Sequence, residues 1–209
     1  IVEGFISSLL KTMGYKDVKI VALLDGESNR EILNYKRSVA DLIVEDEDQN
    51  KYIVEIERSL TNSFIHKSLF NSSRLIIDNL AQRDDFTKIV KVFHISLLYF
   101  EISKEKGVLY HGKTIVHEVE TKEPLNIHLE DSETHKSHDA VNIFPEYFYI
   151  SIPSFNDRIK NEFDEWLYVL KNDHVPEHFK SPYMEQVAEK LSLLHMSRSE
   201  QDEYHHYMK

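Results

Sequence analysis

Apolar positions recur along this chain at two periods, near 3.6 residues at its ends and near 2 in between, and that change of period predicts its elements. Val2, Phe5, Ile6, Leu9 and Leu10 share one helical face, and Gly14 is placed to stop that helix. Residues 18–24 read as a short strand closed by Asp25 and Gly26. Residues 38–44 and 52–56 read as the two strands of a hairpin, separated by the polar stretch 45–51. Both strands carry apolar residues on both faces, as expected inside a covered sheet. Residues 63–80 predict a long helix. Ile65, Leu69, Ile76 and Leu80 form its core-facing stripe, with Lys67, Asn71, Arg74 and Asp78 on another face.

Residues 89–100 form a strongly apolar strand, and 108–110, 115–119, 125–129 and 147–152 are further strands, the last ended by Pro153. The polar stretch 130–139 predicts a mobile loop. From Asp157 onward the period is helical, through Phe163, Trp166, Leu167 and Leu170 and then Met184, Val187, Leu191 and Leu194. Ser197 and Glu200 have the spacing of a capping box that starts a last short helix. The order predicts an α/β fold with a central mixed β-sheet flanked by helices. The sheet core is expected over residues 1–155, with 156–209 a helical C-terminal extension of the same domain.

Charge complicates any partnership with nucleic acid, because the net charge is −11 and phosphate binding normally leaves a basic footprint. The distribution changes that picture. Residues 1–100 hold 13 Lys+Arg against 15 Asp+Glu, a balance of 13 − 15 = −2, and residues 101–209 hold 12 against 21, or −9. Cysteine is absent, which removes disulfides and thiolate metal sites and fits a reducing cytoplasmic setting, read here as bacterial. No apolar run reaches the roughly 20 residues that span a bilayer, so no membrane partner is expected. The first ten residues lack the basic start and cleavage site of a signal peptide. The chain opens on Ile1 rather than Met, and residues upstream are expected.

The candidate chemistry lies in the hairpin. If it is symmetric about Asp48, Asp41 lies opposite Glu55, and Glu57 shares their face through the period of two. Three carboxylates among apolar neighbours repel one another unless something neutralises them, and a divalent cation does so. Such an ion activates water and stabilises phosphoryl oxygens in hydrolysis. Spacing alone is weak evidence, since three acids at some fixed interval arise about once by chance in a chain with 36 acids in 209 residues. Solvated edge-strand charges are the competing reading. Lys67 and Arg74 share a helical face and, with Arg58, could contact phosphate oxygens as readily as they could decorate a solvated surface. The closest histidine groupings, His135 with His138, His174 with His178 and His205 with His206, lack a zinc-site pattern, and Pro176 breaks the second.

The run Ser38-Val39-Ala40-Asp41-Leu42-Ile43-Val44, its acidic loop, and Tyr52-Ile53-Val54-Glu55-Ile56-Glu57 resemble the core of the Rpn family, recombination-promoting nucleases or transposases of the PD-(D/E)XK superfamily. The likeness continues through Phe64–Phe70, residues 92–100, 147–155 and 164–171, and the tail Met196-Ser197-Arg198-Ser199-Glu200. It implies a restriction-endonuclease-like fold and hydrolysis of DNA with Mg²⁺ or Mn²⁺, linked to recombination or mobile elements. It also implies that Asp41 and Glu55 are metal ligands, with the Ile56 carbonyl beside them. Glu57 then stands where the superfamily often has Lys and this family more usually Gln. That departure predicts an electrostatically strained empty site, which Glu57→Gln should relieve. The resemblance also offers Glu3 as the counterpart of the superfamily's additional helical acid, against the competing reading of a solvent-facing helix acid. The rival expectation is a degenerate module that keeps the fold and uses it for DNA or protein contact, a homo-oligomer included.

Overall fold

The computed structural model describes residues 1–24, 40–130 and 137–196. They form two compact units, one of residues 20–154 and one that joins residues 1–19 to the segment from Phe155 onward. The fold is α/β, with a mixed six-stranded sheet and four α-helices among the described residues, consistent with a restriction-endonuclease-like domain. No helix among the described residues is long and apolar enough to cross a membrane.

The sheet unit begins with β1 (Ile20–Leu24), β2 (Leu42–Asp46) and β3 (Lys51–Glu57), an antiparallel meander. The segment expected to turn at Asp25 and Gly26 lies outside the described residues, as do Ser38 and Val39. The β2–β3 turn is tighter than the polar stretch 45–51 suggested, because the strands extend to Asp46 and start again at Lys51. Asp46 closes it: Oδ1 accepts from the Asp48 and Asn50 amides at 2.9 Å each, and Oδ2 accepts from Tyr52 Oη at 2.7 Å. A side-chain carboxylate thus replaces the backbone acceptors of a longer turn.

The helix α2 (Phe64–Asp78) carries the chain from β3 to β4 (Val92–Leu98), which pairs parallel with β3. Parallel neighbours need such a crossover. A further strand, β5 (Leu109–Gly112), forms the far edge beside β8 (Glu146–Ser151), and β8 pairs parallel with β4. The short pair β6 (His128–Glu130) and β7 (Ser137–Asp139) is a separate two-stranded sheet. Part of the expected loop 130–139 is therefore strand, and 131–136 lie outside the described residues. The stretch 115–119 is not a strand. It makes only the isolated bridge between His117 and Pro124, for want of a continuous partner.

Central strand β4 is buried along its whole length. Ala40, Ile43, Ile53, Leu75 and Val92 form an apolar cluster with Leu24 and Ile76 packed against it. The orientation of α2 departs from its apolar stripe. Its buried residues are Ser68, Asn71, Ser72 and Leu75, whereas Ile65 and Leu69 are more than half exposed. The sheet explains this. The face beneath the first turns of α2 carries Glu55, His94 and Tyr149, whose polar atoms need hydrogen-bond partners once buried, so hydrogen bonding there outweighs apolar area. Leu75 marks where the interface turns apolar. Leu75→Ala is expected to cost about 2–5 kcal/mol, and Leu69→Ala, at an exposed position of the stripe, less than about 0.5 kcal/mol. Comparable losses in urea denaturation would place α2 in the register its stripe implies.

In the helical unit, α1 (Val2–Lys11) ends in a Schellman motif: Gly14 adopts φ +81°, its amide reaches Lys11 O at 3.0 Å, and the Tyr15 amide reaches Leu10 O at 3.1 Å. Phe5 packs its ring 6.1 Å from Phe163 and 6.0 Å from Trp166, both on α3 (Glu162–Asn172). Asn161 caps α3 by accepting from the Asp164 amide, and α4 (Met184–His195) follows. The capping box at Ser197 and Glu200 lies outside the described residues.

Candidate active site

The register that aligns the candidate acids is set by the hairpin. Leu42 pairs with Val54, Ile43 with Ile53, Val44 with Tyr52 and Glu45 with Lys51, so Asp41 lies opposite Glu55 one step beyond the last pair. A one-residue slip would move every side chain of a strand to the other face. Asp41 is exposed, and its Oδ2 accepts from the Ile56 amide at 2.7 Å. That bond lays the carboxylate across β3 where β2 pairing stops. The carbonyl of a residue in an extended strand points to the same side as its amide, so Ile56 O faces the same gap.

Glu55 is almost fully buried, and its pocket is polar. Oε1 accepts from Asn71 Nδ2 at 2.5 Å, and Oε2 lies 3.3 Å from His94 Nε2 and 3.7 Å from Lys67 Nζ. Burial alone would raise its pKa, but His94, Lys67 and Asn71 outweigh it and hold the carboxyl below its ordinary value. Glu55 is thus anionic at neutral pH although water hardly reaches it.

Glu57 is paired. Lys67 Nζ donates to its Oε1 at 2.7 Å. Burial would lower the pKa of Lys67, but Glu57, Glu55 and Asp41 together hold it above the ordinary value. This corrects the expectation of uncompensated repulsion at the Glu57 position. The cation absent from the strand comes from α2, ten residues along the chain, and one ammonium feels all three carboxylates.

The remaining candidates are placed differently. Arg74 is held by Asp78 one turn on, with Nη2 to Oδ1 at 2.9 Å and Nε to Oδ2 at 3.1 Å, and Arg58 is exposed just past β3. Glu3 belongs to the helical unit, where Tyr183 Oη donates to it at 2.5 Å. Among the histidines, His174 and His178 lie beyond the end of α3, and His135, His205 and His206 lie outside the described residues.

Two residues of the site escaped sequence reasoning. The sequence pattern puts Asn71 on a face of α2 other than its apolar stripe, and His94 inside an apolar strand. Their signals were present, as small polar residues at positions 68, 71 and 72, the spacing of one helical face, and as His94 and Ser96 two apart in an otherwise apolar run.

Among the described residues, no three His, Asp or Glu side chains converge on one point as a ready-made metal cluster. The donors nevertheless suit a divalent cation. They are two carboxylates directly opposed across a strand pair, a carbonyl facing the same gap, and a buried imidazole nitrogen without a hydrogen-bond partner among the described residues. A family model described as PD-(D/E)XK nuclease family transposase matches residues 1–209. No curated protein and no solved structure matches the chain.

Proposed function

The chain belongs to the PD-(D/E)XK nuclease family transposases, and from that premise we propose that it is a metal-dependent DNA endonuclease acting on the DNA of mobile elements or in recombination. The single observation that carries this reading is Glu55, a buried anion directly opposite Asp41 in the hairpin register, with its charge held by polar partners instead of being removed. Burying a carboxylate is costly. A purely structural role would be served more cheaply by an apolar side chain.

In the proposed mechanism Asp41, Glu55 and the Ile56 carbonyl hold Mg²⁺ or Mn²⁺. When bound, the ion supplies Lewis acidity toward the scissile phosphate and lowers the pKa of water. Asn71 fixes the Glu55 carboxylate through Oε1, leaving Oε2 facing Lys67. Lys67 offers up to three N–H donors, one of which is used by Glu57, so its ammonium can also donate to a phosphate oxygen or to the attacking water. Glu57 acts as the anchor that keeps Lys67 there. Arg58 is the other proposed phosphate contact. Arg74, already chelated by Asp78, contributes less.

The experiment is a nicking assay on supercoiled, duplex and single-stranded DNA with Mg²⁺, Mn²⁺ or EDTA, run beside a thermal-shift titration with each ion. Cleavage that needs the ion, and stabilisation by it, are the expected results. Absence of cleavage on every substrate, with no thermal response to either ion, would leave the family's fold in use as a binding module.

A further inference from the structure

His94 is fully buried on β4, and its side chain shares the sheet face of Glu55, because His94 pairs with Ile53, two residues before Glu55. Its Nδ1 lies 3.3 Å from Ser72 Oγ. The Ser72 hydroxyl donates its one proton to Ser68 O at 2.9 Å, so its oxygen is left to accept from His94. That assignment puts a proton on Nδ1 and leaves Nε2 facing Glu55.

Nε2 points at a problem. It is buried, makes no hydrogen bond among the described residues, and sits 3.3 Å from Glu55 Oε2. Without a proton on Nε2, two lone pairs face each other in a site closed to water. With one, a buried donor lacks an aligned acceptor. Either arrangement is unfavourable, and a cation between the two atoms removes both defects. The spacing suits this. Adjacent ligands of one octahedral ion, each about 2.0–2.2 Å from it, lie roughly 3 Å apart. The Ser72 contact at Nδ1 is the outer hydrogen bond that a ligating histidine normally makes to hold its tautomer and ring plane.

We propose that His94 Nε2 is a nitrogen ligand beside Glu55 Oε2 for the active-site ion, so that the site selects a first-row transition dication, Mn²⁺, over Mg²⁺. The inference rests on the reading that Asp41 and Glu55 hold an ion, and it adds a ligand and a preference to it. Mg²⁺ keeps to oxygen and retains its waters, whereas an imidazole favours transition ions.

The test is pulsed electron paramagnetic resonance on Mn²⁺ titrated into the full chain, with Mg²⁺ competition in parallel, for wild type, Asp41→Asn and His94→Gln. The wild type is expected to show ¹⁴N modulation from a directly bound imidazole. Asp41→Asn is expected to lose the bound ion. His94→Gln is expected to lose the modulation and weaken Mn²⁺ by at least about tenfold, with Mg²⁺ changed less. Bound Mn²⁺ without ¹⁴N modulation, or modulation that survives His94→Gln, overturns the His94 proposal and leaves an all-oxygen site standing. No Mn²⁺ binding, or binding indifferent to Asp41→Asn, overturns the proposal together with the reading beneath it. If His94→Gln does not fold, Ser72→Ala replaces it. Removing the Nδ1 acceptor should weaken Mn²⁺ about tenfold, and unchanged affinity overturns the proposal.

Discussion

On the proposed function, Asp41→Ala and Glu55→Ala are each expected to lower metal-dependent DNA cleavage by roughly 10³-fold or more, since several kcal/mol of charge stabilisation would come from the ion they are proposed to hold. The two variants differ in their effect on the fold. Asp41 is exposed and makes one bond, to the Ile56 amide, so its removal should leave the melting temperature of the metal-free protein nearly unchanged. Glu55 is buried and faces Asn71, His94 and Lys67 at once, and deleting one partner of a buried charged network typically costs 3–5 kcal/mol. Glu55→Gln is therefore the decisive variant. It keeps the shape and the acceptor for Asn71 Nδ2 while removing the anionic ligand. Gel-based nicking rates with Mn²⁺ and a melting curve for each variant are the measurements. Glu55→Gln that folds and cleaves at the wild-type rate would remove Glu55 from the ion's coordination.

Lys67→Gln is expected to reduce cleavage by about 10²-fold, the usual loss for one donor aimed at developing charge, with metal affinity kept or raised. The sign on affinity follows from charge. Lys67 Nζ is 3.7 Å from Glu55 Oε2 and within the field of Asp41, so it competes electrostatically with a dication for the same carboxylates. A residue that only tied α2 to the sheet would change stability and leave the rate per folded molecule alone. Glu57→Gln separates these roles further. The crowding argument expected it to stabilise the metal-free protein, but it deletes the partner 2.7 Å from Lys67. A partly exposed pair is worth at most about 1 kcal/mol, so a small loss of stability is now expected. If Glu57 anchors Lys67, the Glu57→Gln and Lys67→Gln effects on rate will not add in a double-mutant cycle. The exchange Glu57→Lys with Lys67→Glu, which puts the cation on the strand and the anion on the helix, should recover part of the activity. Additive losses and no recovery would mean that the pair is structural.

The sequence alone determined the described helices, the six strands of the main sheet and the hairpin register, but it set a strand at 115–119 where there is none and a loop where β7 lies. Both strands are apolar on both faces, so the expected register rests on symmetry of the hairpin about Asp48, and the pairing of Leu42 with Val54 matches it. Asp41 opposite Glu55 follows from that register, so the placement of the two candidate acids was legible before any coordinates. What surrounds those acids was decided by tertiary structure. The stripe of Ile65 and Leu69 predicted one rotation of α2, and docking selected another, in which Ser68, Asn71 and Ser72 face the sheet. Periodicity reports which helix face is apolar, and it points to the core only when the opposing surface is apolar too. Here that surface carries Glu55, His94 and Tyr149, contributed by three strands separated by long stretches of chain, and their demand for hydrogen bonds exists only once the strands are side by side. The same docking brings Lys67 against Glu57 and sets His94 Nε2 facing Glu55 Oε2, contacts that span 10 and 39 residues of chain. A pattern read along one segment cannot contain them, because each is a property of two surfaces meeting.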